Sequence, residues 1–487
     1  MKSHKFTIIT LGIILLAVLP TFNSCSNKAK QIENKPKYIF LFIGDGMGLN
    51  HVNITQAYLQ SINGEIGYQD LTMTKFPMSG TCSTYSKNRL ITDSGAAGSA
   101  IACGEKANTG EISFYDDIDK GETTPISIAK IAHNNGCKVG IITTVSINHA
   151  TPAAFYAINK SRSNYYDIGL QLPESGFEFF AGGGLKYPKD RNNDKENLYD
   201  ICIDAGYNYI KDITEIPKFK KSNDKVLFES PVLWSDAEMP YEIDRTEHDG
   251  YSLSQIVNAG IDFLDNENGF FIMVEGGKID WAAHENDAAT IINEVIAFDN
   301  AILEAYNFYL EHPDETLIIV TSDHETGGMS LGLGQNGYKS DFSLLANQKM
   351  SSYQFSTIIK NYKTSNSTYK LSEVINLANA HLFIDDLSLT EYEMEQVKNA
   401  YRYYFFNETN LNTIQLNNLY DNYNPVATTF IRILQNRASV GFTSWTHTAA
   451  SVPIYSIGSG AEKFSGNIDN TDISKRILDI TNWQLHF

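Results

Sequence analysis

The chain is poor in cysteine, poor in basic side chains and, past its N-terminus, without a long apolar run. Five cysteines in 487 residues do not make a disulfide scaffold. No Cys-x-x-Cys pair occurs, so a cysteine-rich zinc site is excluded. Cys82 and Cys103 bracket one segment of interest, and the sequence leaves open whether they pair or stay as buried thiols. Lysine and arginine number 38 against 57 acidic residues, for a formal charge of -19. Such a surface argues against nucleic acid as a partner. It also repels anionic substrates, so any phosphate site must carry its own positive charge. No segment after the N-terminus is long and apolar enough to span a membrane.

The N-terminus itself reads as an export signal. Lys2, His4 and Lys5 precede the apolar stretch Phe6 to Leu19. Ser24-Cys25 then resembles a bacterial lipoprotein cleavage and lipidation site, although an ordinary cleaved signal with an incidental cysteine reads the same way. The expected layout is a signal peptide over 1–25, a polar tether over 26–37 and a catalytic domain over 38–487. The expected location is the periplasm or cell envelope, with a lipid anchor at Cys25.

With 42% hydrophobic residues the remainder can bury a large core. Tyr38–Ile43, Val139–Thr143, Phe270–Val274, Thr316–Thr321 and Val452–Ile457 read as buried strands. Helical stretches such as Pro125–Asn134 and Ala288–Leu310 lie between them. This alternation predicts an α/β fold, a three-layer sandwich around a large, mostly parallel sheet. Chemistry in such folds gathers beyond the carboxyl ends of the strands. Residues 331–440 differ in character, being rich in Asn, Tyr and Ser, and read as an insertion with a helix over Leu387–Phe406. No fixed-period repeat is present.

Polar clusters follow the strand runs. Thr92-Asp93-Ser94-Gly95 opens a small-residue helix: Asp93 caps it, and Ser94 stands in the first turn, where free N–H groups and the dipole suit a phosphate. Alone, such a turn is more often a plain cap. Asp45 sits between Gly44 and Gly46 after the first strand. Glu275 ends another strand, and Asp280 and His284 follow at i and i+4, on one helix face, where they can share an ion. Asp323 and His324 are adjacent at a strand mouth, and His447 precedes the last strand. Thr151, after His149, could supply a hard oxygen, and Arg162 could fork two phosphate oxygens.

Six motifs in this order resemble the alkaline phosphatase family, over roughly residues 36–330 and 440–465. The resemblance implies two Zn2+ and one Mg2+. Asp280, His284 and His447 would hold one zinc, and Asp45, Asp323 and His324 the other, beside the Ser94 oxygen. Asp45, Thr151 and Glu275 would hold magnesium. Zinc accepts imidazole and carboxylate while magnesium prefers oxygen, which agrees with these sets. Asp93 would orient Arg162. His149 and Trp281 stand where the best-known bacterial members carry Asp and Lys, and would act around the magnesium site without being ligands.

The implied activity is hydrolysis of small phosphate monoesters through a phosphoserine at Ser94, with a homodimer as the implied assembly. Serine ionises far above neutral pH, and a divalent cation beside it lowers that pKa. Three such ions with Arg162 give about +7 against about -6 from Asp45, Asp93, Asp280, Asp323, Glu275 and ionised Ser94, a remainder of about +1. The site would thus be a positive spot on a negative chain. A phosphodiesterase or sulfatase with similar ligands is the alternative enzyme, and a non-catalytic phosphate- or metal-binding protein the alternative of another class.

Overall fold

A computed structural model describes residues 35–115, 125–219, 223–246, 248–383, 385 and 387–485. The expected signal peptide, Cys25 and residues 26–34 of the tether lie outside the described residues.

Ten strands form one sheet: β1 (Tyr38–Ile43), β2 (Met78–Ser83), β3 (Lys138–Thr143), β4 (Phe179–Gly182), β5 (Tyr207–Ile210), β6 (Lys225–Glu229), β7 (Phe270–Glu275), β8 (Thr316–Thr321), β9 (Val452–Gly458) and β10 (Gly466–Asp469). Their spatial order is β10-β2-β9-β8-β1-β7-β3-β4-β6-β5. Every pairing is parallel except the two made by β9, which runs against β2 and β8. The expected three-layer α/β sandwich is what forms.

The central strands are apolar on both faces because both faces are covered. Tyr38, Phe40 and Phe42 of β1 join one core cluster, together with Ile256 and Leu264 of the helix Leu253–Leu264 and Ile291 and Phe298 of the helix Ala288–Glu311. Ile39, Leu41 and Ile43 point the other way, into a cluster holding Ile101, Ile128, Ile168 and Ile473 from helices on the opposite side. Each such fully buried side chain contributes about 1.5–3 kcal/mol.

Topology then places the chemistry. β1, β7 and β8 are parallel neighbours, so the residues after Ile43, Glu275 and Thr321 emerge at one edge. β3 adds the residues after Thr143 there, and β2 those after Ser83. Because β9 is reversed, its first residue lies at that same edge, which brings in His447 just upstream.

Residues 331–440 are mostly helical, with Ser352–Ser365, Leu371–Leu377, Glu391–Phe406, Thr413–Tyr420 and Pro425–Arg437. The third of these starts later than expected, at a capping box in which Thr390 and Glu393 bond reciprocally. Phe355, Ile359, Val397, Phe430 and Leu434 form a separate apolar cluster within this segment. Gln348 ties it to the main body by donating to Asp287 at 2.8 Å. The cysteines among the described residues are all free thiols, so Cys82 and Cys103 do not pair. Cys103 lies 3.4 Å from the Ser113 hydroxyl instead.

Candidate active site

Asp93 is extended and caps the helix Ser94–Cys103. Its carboxylate accepts from Gly95 and Ala96 N–H at 3.3 and 3.2 Å, from Gly110 N–H at 3.0 Å and from Arg162 Nη1 at 2.9 Å. Ser94 is therefore the first helical residue, and it is buried. Gly98 faces the turn Ala150–Ala153, where a Cβ would make ordinary contact with the Thr151 Cα at 3.4 Å. Burial alone would lower the Arg162 pKa, but Asp93 and Asp45 raise it and keep the guanidinium charged.

Donor atoms gather around this turn in three groups. In the first, His324 Nε2 lies 3.4 Å from Asp45 Oδ1, 3.3 Å from Asp323 Oδ2 and 3.2 Å from Ser94 Oγ. The two carboxylate oxygens are buried and accept no hydrogen bond. Gly46 makes this approach possible. It donates its N–H to Asp323 at 3.2 Å with φ at +71°, and a Cβ there would meet Asp280 Oδ1 and Thr326 Oγ1 at 2.8 Å.

The second group is Asp280, His284 and His447. The imidazoles face each other with their Nε2 atoms 3.2 Å apart. Each Nδ1 lies against a carbonyl, that of Trp445 at 2.6 Å for His284 and that of Thr92 at 2.8 Å for His447. A carbonyl only accepts, so both Nδ1 atoms carry hydrogen, which leaves each Nε2 as the ring atom that can offer a lone pair. Facing lone pairs with an Asp280 oxygen 3.4 Å from His284 Nε2 are the donor pattern of a cation site. In the third group Asp45 meets Glu275 and His149, and Thr151 Oγ1 lies 3.3 Å from Asp45 Oδ2. Glu275 Oε1 and His149 Nδ1 are buried there without hydrogen-bond partners.

The electrostatics point the same way. Burial, then the neighbouring carboxylates, push Asp45 well above the usual carboxylate range. Burial also lifts Asp323 to about 8 and Glu275 to about 7. His324 is pushed well below its ordinary value by burial and by His447, so its ring is neutral. Asp280 is the exception: burial would raise it, but His284, His447 and His324 hold it low. Unpartnered buried carboxylates beside neutral imidazoles fit divalent cations and fit little else. Imidazole and carboxylate donors gathered in this way suit divalent metal ions.

Every site residue expected from the sequence converges here. His149 stands beside the third site as expected, in one group with Asp45 and Glu275 whose donor atoms lie within 4.8 Å of one another. Burial and then Arg162 depress its pKa to about 3, so it is neutral and able to ligate. Its Nε2 lies 3.5 Å from Arg162 Nη2, and its ring meets Trp281 edge-on at 6.1 Å.

Three contributors escaped the sequence reading. Thr326 donates to Asp280 Oδ1 at 2.5 Å and stands 3.2 Å from His324 Nδ1, linking two donor groups. The Thr143 hydroxyl hydrogen-bonds Glu275 Oε2. Lys278 is buried with its ammonium against the rings of Tyr241, Trp234 and Trp281 at 3.8, 4.7 and 4.7 Å. Burial lowers the Lys278 pKa, and its amine lies behind Trp281 without replacing the indole. Thr326 lay two residues past His324, a spacing that a strand reading would have placed on the same face.

The alkaline phosphatase family model matches residues 36–483, which takes in all three donor groups and the 331–440 segment. The chain belongs to the alkaline phosphatase family. It is similar to alkaline phosphatase 4 of Bacillus subtilis (strain 168), at 31% identity over 97% of this chain and 95% of that one. The fold is similar to a cold-active alkaline phosphatase from a psychrophilic Shewanella, with a TM-score of 0.73, 29% identity and coverage of 91% and 99% of the two chains. It is also similar to a variant of the TAB5 alkaline phosphatase with Mg bound in its M3 site, with a TM-score of 0.64, 27% identity and coverage of 92% and 99%. As an alkaline phosphatase, the chain is a metal-binding phosphoric monoester hydrolase.

Proposed function

We propose that Ser94 is the nucleophile of this phosphatase and is transiently phosphorylated. The observation that carries this is the environment of Ser94 Oγ, a buried hydroxyl at a helix start, 3.2 Å from the neutral His324 ring and beside two unpartnered carboxylate oxygens. Asp45, Asp323 and His324 would hold one Zn2+ together with the Ser94 oxygen. Asp280, His284 and His447 would hold a second. Asp45, Glu275 and Thr151 would hold Mg2+, with the His149 ring beside them. When bound, such cations lower the pKa of an adjacent hydroxyl and stabilise developing negative charge on oxygen.

The chain's own residues do the rest. Arg162, fixed by Asp93, holds the non-bridging phosphate oxygens with its remaining donors. The N–H groups opening the helix Ser94–Cys103 add positive potential at the same place. Ser94 Oγ bonds to phosphorus as the ester oxygen departs, and the serine proton leaves with the alcohol. Water then cleaves the phosphoserine to inorganic phosphate and restores the hydroxyl. Ser94→Ala in the metal-loaded protein should lower kcat by orders of magnitude; a near-normal rate would remove Ser94 from this role. Comparing an aryl phosphate with its methyl diester separates the monoesterase from a diesterase, which would turn over the diester faster.

Export and attachment through Cys25 rest on the N-terminal sequence alone, and a homodimer on the family resemblance. A lipidated Cys25 predicts membrane-fraction activity that Cys25→Ala releases. Sedimentation of the soluble variant as a monomer would contradict the dimer.

A further inference from the structure

Beside the second donor group the surface opens into a cavity of 640 Å3, with His284 and His447 in its wall. Ser94 and His324 do not line it. The attacking and leaving oxygens of a phosphoryl transfer lie roughly in line. The His447 ring stacks on His324 at 3.6 Å, so the second donor group adjoins both the Ser94 neighbourhood and this space, and an alcohol leaving on the side away from Ser94 would have room there. The rest of the wall is Arg89, Leu90, Ile91 and Thr92 on one side, with Thr109 and Thr446.

That wall has an unusual composition for a chain of charge -19. Leu90 and Ile91 are consecutive large aliphatics left 73% and 49% exposed at the mouth of the site. Scattered exposed aliphatics mean little, but an apolar wall beside a polar centre is the usual make-up of a ligand pocket. Arg89 makes no ion pair or side-chain hydrogen bond among the described residues, so its guanidinium is free to meet an anion at the cavity. The segment is also held in place. Ser86 N–H donates to the Arg89 carbonyl at 3.0 Å, Asn88 Oδ1 accepts from Thr109 N–H at 3.0 Å, and the Thr92 carbonyl anchors His447 at 2.8 Å.

We propose that this cavity receives the alcohol half of the substrate and selects monoesters of apolar alcohols that carry a second anionic group within reach of Arg89. The inference rests on the phosphomonoesterase reading above. Leu90 and Ile91 cover the apolar body. Arg89 meets the anion and draws such substrates to an otherwise repelling surface. Polyhydroxylated alcohols would lose water to that wall without a compensating partner.

The test uses the metal-loaded enzyme with 4-(carboxymethyl)phenyl phosphate and its carboxamide. The methylene group keeps their leaving-group acidities similar, so the kcat/KM ratio of acid to amide reads the anion contact. A ratio within one preparation does not depend on the fraction of folded enzyme. The wild type should favour the acid about threefold or more at low salt, as expected for a partly exposed ion pair. High salt and Arg89→Gln should each remove that preference. Leu90→Ser with Ile91→Ser should likewise reduce the preference for 2-naphthyl over phenyl phosphate. Ratios indifferent to Arg89→Gln and to the double variant would overturn the pocket while leaving the phosphatase intact. Failure of the wild type to cleave any of these monoesters would overturn the reading beneath it.

Discussion

Replacing Thr326 by Val removes one hydroxyl and keeps the side-chain shape. That hydroxyl donates to Asp280 Oδ1 at 2.5 Å and receives the Nδ1 hydrogen of His324 at 3.2 Å. Thr326 and His324 are fully buried, so no water replaces the lost partner. A buried N–H left unmet costs about 1–3 kcal/mol. The His324 ring also loses what keeps hydrogen on Nδ1 and the lone pair on Nε2, the atom facing Ser94. Loss of such an outer partner typically lowers metal affinity 10–100-fold. The assay is zinc competition against graded chelators, followed by rates at saturating zinc. Thr326→Val should lose about 10–100-fold in zinc affinity and regain most activity in excess zinc, while Thr326→Ser stays near wild type. Unchanged affinity in the valine variant would refute the coupling of the two donor groups through Thr326.

If the fork held by Asp93 grips phosphate as proposed, Arg162→Ala should reduce kcat/KM by about 100-fold and weaken inhibition by inorganic phosphate; unaltered phosphate inhibition would contradict it. In the metal-free protein burial pushes Asp323 up to about 8 and Glu275 up to about 7, against about 4 when unfolded. At these two groups the metal-free fold holds more protons than the unfolded chain, so their contribution to stability falls as pH rises through this window. Bound cations replace those protons, and the gap in Tm between loaded and chelated protein should widen from pH 6 to pH 9; a constant or shrinking gap would count against this. The variant His149→Asp/Trp281→Lys should hold inorganic phosphate more tightly and release it more slowly, since it places an ammonium where the indole stands; unchanged release would set the idea aside.

Much of the architecture was legible because the central strands are covered on both faces. Tyr38–Ile43 and Thr316–Thr321 are continuous apolar runs, and the structure begins and ends them at those residues. β2 and β10 were not legible, since they lie at the sheet margin: β2 exposes alternate residues and is rich in small side chains, and β10 is four residues long with a single buried one. β4 and β5 have only four residues each, too short for a period to show. The reversal of β9 left no local trace, yet it carries His447 to the active-site edge. The candidate ligands could be named through the order of motifs, not through spacing, because Ser94 and His324 are 230 residues apart. Thr326, Thr143 and Lys278 gave no comparable signal, as a threonine or lysine acquires such a role only from what it touches. The separate apolar cluster of residues 331–440 was hidden for a similar reason. Its members are spread over several amphipathic helices, none of them strongly apolar by itself.

Rapid acid quenching during turnover of a phosphate monoester, with peptide mapping by mass spectrometry, reads the chemistry assigned to Ser94. The metal-loaded enzyme should show a phosphate mass on the peptide bearing Ser94, formed within one turnover and absent from Ser94→Ala. Turnover with no phosphopeptide at any quench time, or with the phosphate on another residue, would contradict a serine nucleophile at the start of that helix.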